Sequence, residues 1–414
     1  AKGNAASTTQ SNNTANLKDK TTPTVSSVTT ASDNKTIVVT FSESVFNTNG
    51  GSGALDSADF AFSITGGAAT LSSPTPTSIS ISGNVYTLGI GLSGTPDGGE
   101  VVTVTPVENA IYDAGGNVAS TAQTNKTTSL FDQTAPNITS VTLAADNSTI
   151  AVVFSVVVFS TNGGSGALDS ADFNFSITGG AATLSSATPT SLSASGNTYT
   201  LGIGLSGTPN GSEVLKVNPV ENAIYDAAGN PSDTTQSNNT ANLKDKAAPT
   251  IASVTTASDN KSITVTFSES VFNTNGGSGA LDSVDFVLSI TGGTATLSSA
   301  TPNEISASGN VYTLGISLSG TPDGSEVLSV LPVESAIFDS VGNVASTTQT
   351  NNTANLKDKT APTIASFKLE SSNSTIEASF SEAVFSKSDG SGALETTDFV
   401  LTLQGGAATL SSVT

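Results

Sequence analysis

Nearly every side chain of this sequence that could do chemistry is an oxygen donor. The 414 residues contain no His and no Cys, which removes imidazole bases, thiol nucleophiles, disulfides and the usual zinc ligands. What is left is a set of carboxylates, with one carboxamide, at a fixed spacing. Asp19, Glu43, Asp59, Asp113 and Asn117 are followed by Asp132, Asp172 and Asp226, then by Asp245, Glu269, Asp285 and Asp339, and finally by Asp358, with a constant step of 113 residues between equivalent positions. Several carboxylates converging at one place suit a hard divalent cation, and Ca²⁺ takes about six to eight oxygens in irregular geometry. Asp113 and Asn117 are equally good turn formers, and Glu43 and Asp59 equally good solvated loop ends. The residue types leave both readings open. The metal reading has an internal control: the second copy reads Phe154-Ser155-Val156, so Val156 stands where Glu43 and Glu269 stand in the other copies.

Other chemistries fit less well. Glu43 and Asp59 could act as the carboxylate pair of a glycoside hydrolase, but a pair copied along the chain and broken at Val156 is more simply structural, and no enzyme is expected. Gly50-Gly51-Ser52-Gly53 lacks the lysine and helix of a phosphate loop, so it reads as a flexible connector. An isopeptide crosslink needs a lysine inside an apolar strand; the lysines here flank joints and turns, and Lys18 is replaced by Phe131. Asp56-Ser57-Ala58, Asp169-Ser170-Ala171 and Asp282-Ser283-Val284 resemble the Asp-Ser/Thr-small sequon of bacterial O-glycosylation, which an intact mass would test.

The elements that position these groups follow from the same period. The joint Asn16-Leu17-Lys18-Asp19-Lys20-Thr21-Thr22-Pro23-Thr24 recurs almost unchanged, and its proline, lacking a donor, marks the start of an edge strand. A unit of this length can enclose its own core, unlike the short units of solenoids. The chain is therefore read as a tandem array: the C-terminal end of a preceding repeat (1–19), whole repeats over 20–132, 133–245 and 246–358, and a truncated repeat over 359–414. A signal peptide, anchor or tip domain is expected to lie outside it.

Within the first repeat, strands are predicted over Thr24–Val28, Thr36–Phe41, Phe60–Thr65, Ala69–Leu71, Ser78–Ile81, Val85–Leu92, a run holding Val102 and Val104, and Val118–Leu130. Differences between copies identify the faces. Val38 becomes Ala151, Thr264 and Glu377, and Thr103 becomes Lys216 and Ser329, so these point outward; Ile37, Val39 and Phe41 point inward. About seven short strands with a turn signal every 8–12 residues and no helical period predict an all-β protein of tandem immunoglobulin-like β-sandwich domains in an elongated array. An odd number of crossings puts the two ends of a repeat at opposite poles. Glu43, Asp59 and the turn Asp113 to Asn117 are then expected beside the joint aspartate Asp19, with the turns holding Asp33 and Asp97 beside the next joint.

Composition narrows the partners. With 34 acidic and 13 basic residues and a net charge of −21, nucleic acid is excluded as a partner because phosphate contacts need clustered Lys and Arg, and anionic membrane is equally disfavoured. No apolar run approaches the roughly 18 residues of a membrane span. Sugar stacking wants exposed aromatic faces, and the chain has no Trp and five Tyr, with Tyr86 on the inward side of its strand.

Phe41-Ser42-Glu43-Ser44-Val45, Asp226-Ala227-Ala228-Gly229-Asn230 and Asp358-Lys359-Thr360-Ala361-Pro362 carry a resemblance. They look like the Thr-Phe-Ser-Glu-x-Val signature, late turn and interdomain joint of bacterial Ig-like tandem repeats of giant secreted surface adhesins, including the SwmB and SprB type. The resemblance covers every repeat and implies an extracellular, cell-surface stalk or filament whose partners are neighbouring repeats and, through distal domains, a surface or glycan target. A glycan-binding or S-layer-type surface repeat is the alternative.

Overall fold

The computed structural model describes residues 3–410, and the chain divides into two compact units, Ala1–Lys244 and Asp245–Thr414. The first unit holds two β-sandwiches, each with its own apolar core. The second holds one complete sandwich followed by a shorter hairpin. Among the described residues no helix is long and apolar enough to cross a membrane.

Alternation of β-branched and polar residues makes the strands. In the sandwich over 20–132 they are β1 (Val25–Thr30), β2 (Thr36–Phe41), β3 (Phe60–Thr65), β4 (Thr70–Leu71), β5 (Ile79–Ser82), β6 (Val85–Gly89), β7 (Leu92–Ser93), β8 (Val101–Pro106) and β9 (Thr127–Ser129). One antiparallel sheet has the order β1-β2-β6-β5, the other β3-β8-β9, and β4 pairs with β7. Four strands against three in that order is the constant-type immunoglobulin arrangement. Both other complete sandwiches repeat it strand for strand.

The register places Val39 between Val28 and Tyr86, and Ile37, Val39 and Phe41 are fully buried, as their spacing predicts. Within its own sheet the ring of Phe41 meets Tyr86 edge-on at 5.6 Å, and across to the other sheet it meets Phe60 at 6.3 Å. The buried Tyr86 hydroxyl donates to the Val45 carbonyl at 3.3 Å, so its polar end is satisfied. Phe41→Ala would cost about 3–5 kcal/mol through lost burial and the cavity left behind.

Two predicted strands come out differently. Val85–Leu92 is interrupted after Gly89; at Gly89 and Gly91 the backbone passes close to Ser78 and Ser72, whose hydroxyls a Cβ would meet. The second piece, β7, pairs with β4 instead of continuing beside β2. The long polar strand Val118–Leu130 is reduced to β9, three residues. Its middle is fastened by side chains: Gln123 Oε1 accepts from the Val25 amide at 2.9 Å, where β1 bulges away from β2.

In the second unit, residues 359–410 form one hairpin, Ile364–Leu369 with Ile376–Phe380. Ile364 and Phe367 are exposed there. Their equivalents Ile251 and Val254 belong to the core of the complete sandwich, whose second sheet covers them.

Candidate metal centre at the leading end of two sandwiches

The leading end is assembled from three segments that are distant in sequence. The joint supplies Asp19, whose Oδ1 accepts from the Thr21 amide at 2.8 Å and so turns the chain toward β1. β2 ends at Phe41, and a pair of bonds, Ser42 N to Thr24 O at 2.8 Å and Thr24 N to Ser42 Oγ at 3.0 Å, locks the start of the loop carrying Glu43 against the joint. The turn after Tyr112 supplies Asp113, which is fully buried. Its Oδ1 accepts from the Asn117 amide and its Oδ2 from Asn117 Nδ2, both at 2.7 Å. Asn117 Nδ2 also donates to the Thr21 carbonyl at 3.2 Å, which fastens the turn to the joint.

This places one carboxylate oxygen each from Asp19, Glu43 and Asp113 within 4.8 Å of one another, and the second unit builds the same group from Asp245, Glu269 and Asp339. The donors are all hard oxygens with no nitrogen or sulfur, which suits Ca²⁺ or Mg²⁺ over zinc or copper. Three carboxylates fall short of a full Ca²⁺ shell, so carbonyls or water would complete it.

The electrostatics of the cluster are unfavourable. Burial first, then the charges of Asp113 and Asp19, raises the Glu43 pKa above its ordinary value. For Glu269 burial, Asp245 and Asp339 push it to about 7. Burial also works against the Asp113 anion, but hydrogen bonds from Asn117, Gly115 and Gly116 outweigh it and hold the pKa below normal. Glutamate is thus the member of the cluster with charge facing it and no donor to compensate.

In the second repeat the frame survives and the glutamate does not. Asn230 Nδ2 donates to Asp226 Oδ2 at 2.8 Å and to the Asp132 carbonyl at 3.3 Å, while Val156 is exposed at the glutamate position. No third carboxylate joins Asp132 and Asp226 among the described residues. At the last joint Asp358 pairs with Glu382, whose pKa is raised by burial and by that aspartate.

Asp59, Asp172 and Asp285 lie outside these groups. Asp59 Oδ2 accepts from the Asp56 amide at 2.8 Å and Asp56 Oδ1 from the Ala58 amide at 2.7 Å, a reciprocal cap on the 3₁₀ turn Ser57–Asp59. The same cap forms at Asp169/Asp172 and Asp282/Asp285. The Asp-Ser-small motif therefore has a structural use in each repeat. The spacing Asp56-x-x-Asp59 before Phe60 was a sequence signal for it.

A second carboxylate site, which the sequence reading did not single out, lies at the trailing end. Glu100 is fully buried. Its Oε1 accepts from the amides of Ala68 at 2.9 Å and Ala69 at 2.8 Å, and its Oε2 from Gly98 at 3.1 Å, with Asp97 N 3.2 Å from both oxygens. Burial raises its pKa, but the bonds from Ala69, Asp97, its own amide and Ala68 prevail, and the net shift is downward. Glu213 and Glu326 repeat the arrangement. A Cβ on Gly67 would collide with this side chain, so the glycine pair after β3 is required by it.

The trailing end also grips the next joint. Asn34 brackets Phe131, accepting from its amide at 2.9 Å and donating to its carbonyl at 2.7 Å, and Gln133 N donates to Pro96 O at 2.9 Å. Asp19 and Asp132 therefore sit at opposite ends of β2, as the odd strand count predicts.

No family model matches the chain, and the comparison with curated proteins returned no match. Among solved structures, a three-domain fragment of the titin I-band is similar at 9% identity over 79% of this chain and 99% of that one, with a TM-score of 0.28. Another tandem of titin domains is similar at 11% identity over 81% of this chain and 98% of that one, with a TM-score of 0.24. At these scores the assignment of the fold rests on the strand order within each repeat: the chain is a tandem array of immunoglobulin-like sandwiches.

Proposed function

We propose that this chain is a stalk segment of a large bacterial surface protein of the adhesin or gliding-filament type, extracellular and without enzymatic activity, which carries a distal element by reach. The observation behind this reading is the joint. Adjacent residues Asp132 and Gln133 are held by different sandwiches, the Asp132 carbonyl by Asn230 of the following one and the Gln133 amide by Pro96 of the preceding one. A joint with no free linker residues transmits tension directly between independent cores. Repeats of 113 residues pulled from their ends should unfold in separate events, each releasing roughly 380 Å of chain at about 3.4 Å per residue. A single merged event would overturn the reading.

Ca²⁺ is part of the proposal. Bound at Asp19, Glu43 and Asp113, and at Asp245, Glu269 and Asp339, it would neutralise the facing carboxylates and stiffen the joint there. The alternative, a glycan-binding or S-layer-type repeat, has less behind it: Tyr86, Tyr199 and Tyr312 are core residues, Tyr112 and Tyr225 are only partly exposed, and the hollow of about 440 Å³ beside Lys261, Asn303 and Glu304 has no aromatic lining. Specific binding on a glycan array would favour it.

A further inference from the structure

The geometry points to Asn49, Asn162 and Asn275 as sites of spontaneous deamidation, a covalent modification that adds a carboxylate to the leading end of each complete sandwich. Each of these asparagines precedes a glycine at the tip of the same loop, Thr-Asn-Gly-Gly-Ser-Gly, and each is exposed. The loop is closed by the bridge between Thr48 and Ser52 and its copies, so the Asn-Gly bond projects beyond the last paired residue. A Cβ at Gly50, Gly163 or Gly276 would meet nothing within 4 Å, so the space beside each glycine is open.

In the reaction the Gly50 nitrogen, having given its proton to solvent base, attacks Cγ of Asn49. The Cγ–Nδ2 bond breaks, the nitrogen takes up a proton and leaves as ammonia, and a five-membered imide remains. Water then opens either imide carbonyl, giving aspartate or its β-linked isomer at that position. One water enters, one ammonia leaves, and no oxidant or enzyme is needed.

The structure ranks the sites. Gly163 N and Gly276 N donate to the carbonyls of Thr161 and Thr274 at 2.8 Å, which holds the attacking nitrogen and its proton. Gly50 N makes no such bond among the described residues, so Asn49 reacts first. Asn210-Gly211 is the same dipeptide in a rigid setting and serves as an internal control. The Asn210 amide is bound by both Glu213 oxygens, and Asn210 Oδ1 is turned back onto the Ser212 amide at 3.1 Å. It reacts last. The fourth copy has Ser388-Asp389 at this place and no such site.

The product charge falls beside the joint. The position a Cβ would take on Gly116 is 2.9 Å from Asn49 Oδ1, so Asn49 packs against the turn that carries Asp113. Conversion of all three loops adds three negative charges to a chain already at −21.

The test is incubation of the whole chain in mildly alkaline, metal-free buffer, followed by peptide mapping with mass detection. The loop peptides should each gain about 1 Da, the one containing Asn49 first and the one containing Asn210 last. Gly50→Ala, which the open space tolerates, should slow the change at Asn49 several-fold and leave the melting temperature and the rate at Asn162 unchanged. Asn210 reacting as fast as Asn49, an unchanged Asn49 rate in Gly50→Ala, or stable loops under conditions where a free peptide of the loop sequence converts would each overturn the assignment.

Discussion

Glu100 and Glu43 are carboxylates at opposite ends of one sandwich, and the two ends handle negative charge in different ways. Around Glu100 the chain has wrapped backbone amides, so the anion is favoured although it is fully buried. Around Glu43 it has gathered two more carboxylates, and the anion is disfavoured although it is only half-buried. The first arrangement is complete in itself and recurs in all three sandwiches. The second sets three carboxylates against one another with no donor facing the glutamate, and the repeat carrying Val156 keeps the surrounding frame without it. Charge burial is tolerated when donors are built in and is disfavoured when they are not.

That contrast can be broken most forcefully at Glu100. Glu100→Ala strips four amides of their acceptor and should lower stability by about 3 kcal/mol, read from urea unfolding. A loss below about 1 kcal/mol would mean that the amides find other partners. Saturating Ca²⁺ at about a hundred times its dissociation constant should add about 2.7 kcal/mol per occupied site. Melting followed with and without chelator should therefore respond in the repeats carrying Glu43 and Glu269, and not in the one carrying Val156. Exchanging Val156→Glu and Glu43→Val should move the response with the glutamate; a response that stays with the repeat would assign it to other groups.

The pH dependence sharpens the same comparison. Because the Glu100 pKa in the folded state lies below the ordinary 4.5, its contribution is fully present above pH 4.5 and is lost as the pH falls through the folded value. Glu100→Gln should flatten the acid limb of stability in a pH titration of unfolding. The smallest effect is expected for Glu43→Gln without divalent ions. Removing one of three facing charges at a solvated site should raise stability by at most about 0.5 kcal/mol, and a clear loss would mean that Glu43 has a partner in the apo state.

Much of the fold was legible because one face of each strand is buried and the other is not, and the copies reveal which is which. Val38 varies through Ala151, Thr264 and Glu377 while Ile37 and Val39 remain β-branched or apolar in the complete repeats. The polar alternation over Val118–Leu130 predicts a full strand where only Thr127–Ser129 pairs, because it looks the same whether the backbone is paired in a ladder or stitched by Gln123. Strand count locates the segment carrying Asp59 at the joint end, whereas the direction of its carboxylate is set locally by Asp56. Glu100 gave little warning: an acidic residue after a Pro-Asp-Gly turn resembles any solvated loop end, and only the glycine pair at Gly66 and Gly67 hinted that something had to fit beneath it.

The sequence by itself determined the repeat, the strand faces and the recurrence of acidic residues, since these depend on period and residue type alone. Tertiary structure decided which carboxylates meet and which are satisfied. Asp19, Glu43 and Asp113 come from three segments brought together by the packing of two sheets and fastened by hydrogen bonds from Ser42 and Asn117 to the joint, and whether an acid faces amides or other acids depends on the orientation of backbone that no local pattern encodes.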